Sequence, residues 1–130
     1  MSDFTAALTV SASGMKAQAS RLRITSENIA NADTPGFKRK IIPFRDVVDR
    51  QLGVDLVETG RVRLDKSELE KIYSPGHPLA DSSGHYLGSN VDLIVEIADA
   101  RESQRSYEAN LRMFDQARQM ASSALELLRR

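Results

Sequence analysis

A helix stop near residue 35 constrains this chain more than any other feature of its sequence. Thr34 precedes a proline, and steric clash with the proline ring pushes such a residue out of the helical region. Pro35 has no amide N–H and cannot continue a helix, and Pro35-Gly36 fits the central positions of a type II turn. The sequence therefore predicts that one helix ends before this turn and that an extended segment follows it.

The segment before the turn has the heptad periodicity of a helix that packs against another helix. From Leu8 to Ile29, apolar or small residues recur at alternating steps of four and three, a period of 3.5 that is typical of a coiled-coil seam. Bulky residues alternate with Ala or Ser, which lets a second helix approach closely. The predicted interface residues on this helix are Leu8, Ala12, Met15, Ala19, Leu22 and Ile29.

A second helix is predicted over residues 91–128, with Asn90 as its N-cap. The same alternating spacing runs from Ile97 to Leu128, and it is broken by the polar residues Gln104 and Arg118. At about 1.5 Å per residue this helix is on the order of 55 Å long, against about 40 Å for the first. The predicted interface residues on this helix are Ile97, Tyr107, Leu111, Phe114, Ala121, Leu125 and Leu128.

The region between the helices is predicted to be extended. The alternation of apolar and polar residues from Val54 to Leu64 predicts a hairpin with Glu58-Thr59-Gly60 as its turn, and His85-Tyr86-Leu87 is predicted as a brief strand. Residues 45–52 stay open between a short helical turn and a loop. We interpret the basic run Lys38-Arg39-Lys40 as a solvated face of a strand or loop.

Together these elements predict a mainly α fold. Long N- and C-terminal helices pair as an antiparallel coiled coil, and a small β-rich, extended insert lies between them. We expect three segments: residues 1–34 with the first helix and the start of the hinge, residues 35–90 as the insert, and residues 91–130 as the second helix. Because the second helix is longer than the first, we expect it to overhang its partner and to leave seam residues for other chains to bury.

Composition and motifs exclude several classes of function. The 18 basic and 18 acidic residues balance, so no general electrostatic attraction to nucleic acid or an anionic membrane is expected. No apolar run is long enough for a membrane span, and the absence of cysteine excludes thiolate metal sites. His77 and His85 lack converging partners, and no phosphate loop or catalytic motif is present. We expect no catalytic, cofactor or metal site and no small-molecule substrate, and hence no enzyme.

Three blocks of the chain resemble the flagellar rod and hook protein family. Asn28-Ile29-Ala30-Asn31 followed by Thr34-Pro35-Gly36-Phe37-Lys38 is similar to the N-terminal signature of that family. Residues 73–91, with His77-Pro78-Leu79-Ala80-Asp81, and the segment Arg105-Ser106-Tyr107-Glu108-Ala109-Asn110 resemble its short proximal-rod branch. The resemblance implies a hinge motif made by Asn28, Asn31, Thr34, Pro35, Gly36, Phe37 and Lys38.

The resemblance also implies a function. Such a chain is expected to be a structural subunit of the bacterial flagellar basal body, exported by the type III apparatus without a cleaved signal peptide and assembled in the periplasm. Its terminal helices would associate with copies of itself and with other rod proteins. The resulting tube would transmit torque from motor to hook and enclose the export channel.

An intracellular adaptor is the alternative. A helical hairpin that binds a partner helix in its seam explains the heptads. It gives no reason for the Asn-Thr-Pro-Gly block or the His-Pro-Leu-Ala-Asp block.

Overall fold

Two long antiparallel helices dominate the computed structural model, which describes residues 2–130. Helix α1 spans Ser2–Ala30 and helix α2 spans Leu93–Arg129. The predicted mainly α fold, with paired terminal helices around a small strand-containing insert, is confirmed. Met1, which belongs to the predicted first segment, lies outside the described residues. No helix within residues 2–130 is both long and apolar enough to cross a membrane.

Two contacts fix the register of the helix pair. A guanidinium nitrogen of Arg21 lies 3.4 Å from a carboxylate oxygen of Asp99. Glycine has no Cβ, and a Cβ atom added to Gly14 would lie 2.7 Å from Oδ1 of Asn110, so the backbones of α1 and α2 come close at this point. Continued along the helices, this register puts the start of α1 opposite about residue 122 of α2. Roughly the last two turns of α2 therefore extend beyond α1, as expected from the difference in helix length.

The side chains that the two helices bury are mostly small or polar. Ile24 is the one large aliphatic residue buried among residues 2–130, and the close approach at Gly14 leaves little room between the backbones. The buried residues are Ser11, Ala17, Ile24, Thr25 and Asn28 on α1, and Glu96, Ser103 and Ala117 on α2.

Six short strands form the insert as three separate antiparallel pairs. Strand β1 pairs with β4, β2 with β3, and β5 with β6. The β2–β3 hairpin packs against α1, where the backbone N–H of Val57 donates to Oγ of Ser13 at 3.3 Å. The strands are β1 Lys40–Ile41, β2 Phe44–Asp49, β3 Val54–Thr59, β4 Arg63–Leu64, β5 Lys71–Tyr73 and β6 His85–Leu87.

The predicted hairpin between Val54 and Leu64 is wrong. Strand β3 pairs with the preceding β2, and the turn between them closes at Gly53, whose φ of 67° lies in the left-handed region. Residues 45–52, left open by the sequence, therefore provide most of a strand and the start of a turn. Charged residues within Arg45–Asp49 interrupt the alternation of apolar and polar residues that predicts a strand, although two adjacent valines favour one.

The turn at the helix stop is confirmed. The N–H of Phe37 donates to the carbonyl of Thr34 at 3.1 Å, and Gly36 has a φ of 75°. These are the features of a type II turn with Pro35-Gly36 at its centre. The predicted strand at residues 85–87 is also present, as β6.

The predicted N-cap of the second helix is wrong. Asp92 caps α2, since its Oδ1 accepts from the N–H of Ile94 at 3.1 Å. Asn90 is an equally good capping residue by type, but its side chain binds elsewhere, as described below.

Candidate functional site

The helix stop, the first strand of the insert and the start of α2 meet in one polar cluster. We call this cluster the hinge junction and define it by Asn28, Arg39, Ser89, Asn90 and Glu96. All five side chains make hydrogen bonds to backbone atoms of other segments or form ion pairs within the chain. Asn28 and Asn90 do so through both ends of their amides. The junction therefore determines how the insert leaves the helix pair.

Asn28 joins the end of α1 to β1. Its Nδ2 donates to the carbonyl of Lys40 at 2.9 Å, and its Oδ1 accepts from the N–H of Lys40 at 2.9 Å. The side-chain amide thus bonds β1 in the way that a neighbouring strand would. Asn28 is 1% exposed, so these bonds are made within one chain and are shielded from water.

Asn31 and Thr34 close the end of α1. Nδ2 of Asn31 donates to the carbonyl of Glu27 at 2.9 Å, and Oδ1 accepts from the hydroxyl of Thr34 at 3.1 Å. The carbonyl of Glu27 accepts from the backbone N–H of Asn31 as well, at 3.1 Å, so Asn31 binds it twice. Unlike Asn28, Asn31 is only half-buried.

The Pro35-Gly36 turn is tied to the segment that leads into α2. The N–H of Gly36 donates to the carbonyls of Leu87 at 3.2 Å and Gly88 at 3.0 Å. The hydroxyl of Ser89 donates to the carbonyl of Ala32. Among the other motif residues, Phe37 is half-buried, whereas Lys38 is exposed.

Arg39 places one guanidinium among three carboxylates. Its Nε donates to Glu96, while its two terminal nitrogens lie 3.4 Å from Asp65 and 3.6 Å from Asp99. Burial disfavours the charged form of Arg39, but the hydrogen bond and charge of Glu96, and then those of Asp65, outweigh it and raise the pKa of Arg39. The pKa of Asp65 is lowered, mainly by its hydrogen bonds from Ser67 and then by Arg39.

Asn90 binds the backbone on both sides of this ion cluster. Its Oδ1 accepts from the N–H of Arg39 at 2.6 Å. Its Nδ2 donates to the carbonyls of Asp65 and Ser67, each at 3.1 Å. Asn90 therefore holds the loop after β4 next to the start of β1, which explains why the helix is capped by Asp92 instead.

The ion cluster was not predicted from the sequence. The interpretation of Lys38-Arg39-Lys40 as a solvated face fits Lys38, but Arg39 binds Glu96, and Nζ of Lys40 binds Glu27. A signal was present in the sequence, because a second stripe with heptad spacing lies beside the apolar one on α2. This polar stripe consists of Glu96, Asp99, Ser103, Ser106 and Asn110, and it contains the residues that approach α1.

A second candidate site is the apolar outer surface of α2. Ile94 is 81% exposed and Leu128 is 78% exposed, at opposite ends of the helix. Near its N-terminal end, a shallow groove is lined by Ile94, Ile97, Ala98, Arg101, Glu102 and Arg105. These exposed residues lie on several sides of α2, since successive residues of a helix point about 100° apart. Together we call them the outer face of α2; they are Leu93, Ile94, Val95, Ile97, Tyr107, Leu111, Met113, Met120, Leu125, Leu127 and Leu128.

The predicted interface residues of both helices lie beside the α1–α2 contact. On α2, Ile97, Tyr107, Leu111, Leu125 and Leu128 are exposed, and Phe114 and Ala121 are half-buried. No predicted interface residue of α1 is buried either: Ala12 and Ala19 are exposed, whereas the others, Leu8, Met15, Leu22 and Ile29, are half-buried. The single chain does not cover these stripes, and their role as a subunit interface stays a prediction.

The histidines of the insert support a turn. The hydroxyl of Ser83 donates to Oδ1 of Asp81 at 2.6 Å and lies 3.1 Å from Nδ1 of His85. A nucleophilic triad needs histidine between the carboxylate and the hydroxyl, and here the serine occupies that place. The hydrogen bond from Ser83 lowers the pKa of Asp81, and the ring of His77 stacks on Tyr86 at 3.9 Å.

Comparison with known proteins finds matches at both ends of the chain. The family described as Flagella basal body rod protein matches residues 8–38, which include most of α1 and the helix stop. The family described as Flagellar basal body rod FlgEFG protein C-terminal matches residues 82–127, which include β6 and most of α2. Both matches indicate the class of flagellar rod proteins.

Full-length relatives identify the branch within this class. The chain is 40% identical to the flagellar basal-body rod protein FlgC of Agrobacterium fabrum, over 99% of this chain and 98% of the relative. It is 30% identical to FlgC of Bacillus subtilis over 92% of this chain and 95% of the relative. For FlgC of Salmonella typhimurium the identity is 27%, over 91% and 92%.

The chain belongs to the family of the flagellar basal-body rod protein FlgC. It is therefore a structural subunit of the flagellar basal-body rod, and it is not an enzyme.

Proposed function

We propose that this subunit assembles into the proximal part of the rod through its two terminal helices. In this arrangement α1 and α2 contribute to the wall of a tube, and residues 35–90 lie against neighbouring subunits. Copies of this chain and other rod proteins are the partners. The tube transmits torque from motor to hook and encloses the channel through which later subunits pass.

The exposed outer face of α2 is the observation that carries this proposal. A single exposed apolar residue is ordinary on a protein surface, but α2 exposes eleven large aliphatic or aromatic residues along its length. The overhang of α2 beyond α1 adds further apolar surface at Leu125, Leu127 and Leu128. Burial of such residues contributes about 25 cal/mol per Å², so contacts with other subunits would stabilise the assembled tube.

A charge placed on the outer face tests the proposal. In cells, Leu111→Asp should prevent rod assembly and motility, while the subunit is still made at a normal level. The matched control is Gln116→Asp, which adds the same charge at an exposed polar position of the same helix. Motile cells with complete basal bodies that contain the Leu111→Asp chain would contradict the proposed role of this face.

We also propose that the subunit reaches the periplasmic part of the basal body through the flagellar export apparatus with α1 intact. Helix α1 forms one half of the helix pair and carries the start of the hinge junction. Removal of an N-terminal signal would delete part of that pair. Mass spectrometry of the subunit from purified basal bodies should therefore find peptides from the first turns of α1, and a chain shortened within α1 would contradict the proposal.

A further inference from the structure

We propose that Arg39 is a positioning residue: its guanidinium, seated on the buried carboxylate of Glu96, fixes the direction in which residues 60–90 leave the helix pair. The consequence for rod assembly rests on the proposed function. The positional role itself concerns the single chain and is tested there.

Burial makes Glu96 dependent on Arg39. Glu96 is 1% exposed, and a buried carboxylate without a cation is strongly disfavoured. Within residues 2–130, Arg39 is the cation that forms an ion pair with Glu96, and Oε2 of Glu96 has no hydrogen-bond partner there. The position of Arg39 therefore determines where the carboxylate of Glu96 is stable.

The guanidinium joins separate segments of the fold. It contacts Glu96 and Asp99 of α2 and Asp65 in the loop after β4. Asp99 in turn binds Arg21 of α1. A planar guanidinium presents its donors in a fixed fork, so satisfying these carboxylates at once defines both the distance and the angle between the segments.

The backbone of Arg39 is held as firmly as its side chain. Its N–H donates to Asn90, and its carbonyl accepts from the N–H of Asp65 at 2.7 Å. The next residue, Lys40, is held by Asn28. Because both ends of Arg39 are anchored, residues 60–90 cannot rotate relative to α2 without breaking the bond to Glu96.

A cleft lies beside the ion cluster. The cleft has a volume of about 200 Å³ and lies between α1, α2 and the first strands. Arg21, Arg39, Glu96, Asp99 and Phe44 are among its lining residues. A buried ion pair often adds little net stability compared with apolar residues, but removal of one partner leaves an unpaired buried charge, so we expect Arg39→Gln to lower the stability of the chain as well as to change the position of residues 60–90.

Spin labels can measure this position, because the chain has no cysteine of its own. One label at Ser82→Cys reports on the turn before β6, and one at Ser123→Cys reports on α2; both positions are exposed. A reference pair at Ala12→Cys and Ser123→Cys reports on the helices alone. Pulsed electron paramagnetic resonance on the purified full chain gives the distance distribution of each pair.

Arg39→Gln should at least double the width of the distribution for the Ser82 pair and leave the reference pair unchanged. Adding Glu96→Gln should restore a narrow distribution, because two neutral amides can hydrogen-bond without a buried charge. Arg45→Gln is the matched control, since Arg45 forms an exposed ion pair with Glu58 in the insert. An unchanged distribution in folded Arg39→Gln overturns the proposal.

A second variant covers the case in which Arg39→Gln does not fold. Glu96→Met removes the buried carboxylate and its bond to Arg39, leaves no charge buried at position 96, and keeps Arg39 next to Asp65 and Asp99. The same broadening of the Ser82 pair is expected, and a width equal to that of the unaltered chain would overturn the proposal. Since these measurements need no assembly, they stay informative whether or not the proposed function holds.

Discussion

The hinge junction and the outer face of α2 differ in how completely one chain satisfies them. At the junction, Asn28, Asn90 and Arg39 bond to segments that are far apart in sequence, and the strongest contacts are buried. On the outer face, residues such as Ile94 and Leu128 stand in solvent with no cover from their own chain. Within one chain, the side chains of the junction have bonding partners, whereas the apolar residues of the outer face stay exposed to solvent.

An assembling subunit needs a defined shape in the single chain and apolar surface that other subunits can cover, and the two regions meet these needs separately. A polar network with fixed geometry defines the shape of one chain, because its bonds fail if the segments shift. Apolar surface contributes free energy whenever it is covered, with little dependence on direction. We therefore expect substitutions at the junction to change the stability or shape of the monomer, and substitutions on the outer face to change assembly alone.

The largest effect on stability is expected at Asn28. Asn28→Ala removes both bonds to Lys40 and leaves two backbone groups without partners in a buried place, so the free energy of unfolding should fall by about 3 kcal/mol. Urea denaturation of the purified chain measures this. The control Asn31→Ala affects a half-buried residue at the same helix end and should cost about 1 kcal/mol; equal losses for the two variants would contradict the distinction between them.

A smaller effect is expected where the helices approach most closely. Gly14→Leu drives a side chain into Asn110, and overpacking of this kind costs about 1–3 kcal/mol. The matched pair Gly14→Ala with Asn110→Ala removes the clash and gains about 1 kcal/mol of helix propensity at position 14. Thermal unfolding of the two single variants and the double variant gives the coupling; strict additivity would show that the helices lie further apart than described.

Acid should weaken the junction through Asp65. The pKa of Asp65 is lower in the folded chain, mainly because Ser67 donates hydrogen bonds to its carboxylate. Its contribution to stability is therefore present above the unfolded-state pKa of about 3.9 and is lost as the pH falls through the folded-state pKa.

The matching variant separates this effect from general acid denaturation. Asp65→Asn should be less stable than the unaltered chain at neutral pH, and the difference should shrink as the pH falls below about 4. Denaturation at several pH values measures it, with the exposed Asp55→Asn as control. A difference that grows on acidification would contradict the assignment.

The smallest effect on the monomer is expected on the outer face. Leu128→Ser should change the free energy of unfolding by less than about 0.5 kcal/mol, since surface substitutions away from special features are usually that mild. The same variant should reduce incorporation into basal bodies. Loss of monomer stability by more than 1 kcal/mol would show that Leu128 is already covered within the chain.

The two helices and the turn between α1 and the insert could be predicted, because their sequence signals are local. The heptad spacing of both helices and the Thr34-Pro35-Gly36 stop depend on neighbouring residues, and the structure confirms the helices, their antiparallel pairing and the turn. The same reasoning failed for strands. Val54–Thr59 could pair with the segment before it or with the segment after it, and both lie at a similar distance along the chain. The pairing with β2 depends on packing against α1 at Ser13.

The contacts of the hinge junction could not be predicted from local sequence patterns either, because they join segments that are separated in the sequence. Asn28 and Asn90 were identified by residue type and resemblance, but their partners Lys40 and Asp65 lie far along the chain. The helix cap shows the competition directly: Asn90 and Asp92 are both good caps, and only the tertiary bonds of Asn90 leave the role to Asp92. The polar stripe on α2, and not the apolar one, marks the face that meets α1.

Cysteine labelling of isolated basal bodies tests the central claim most directly. Leu111→Cys and Leu128→Cys introduce single thiols on the outer face of an otherwise cysteine-free chain. Both should react with a maleimide in the free subunit, and both should be protected in intact basal bodies, relative to the same basal bodies after denaturation. Equal labelling of intact and denatured basal bodies at both positions would contradict the claim that other subunits bury this face.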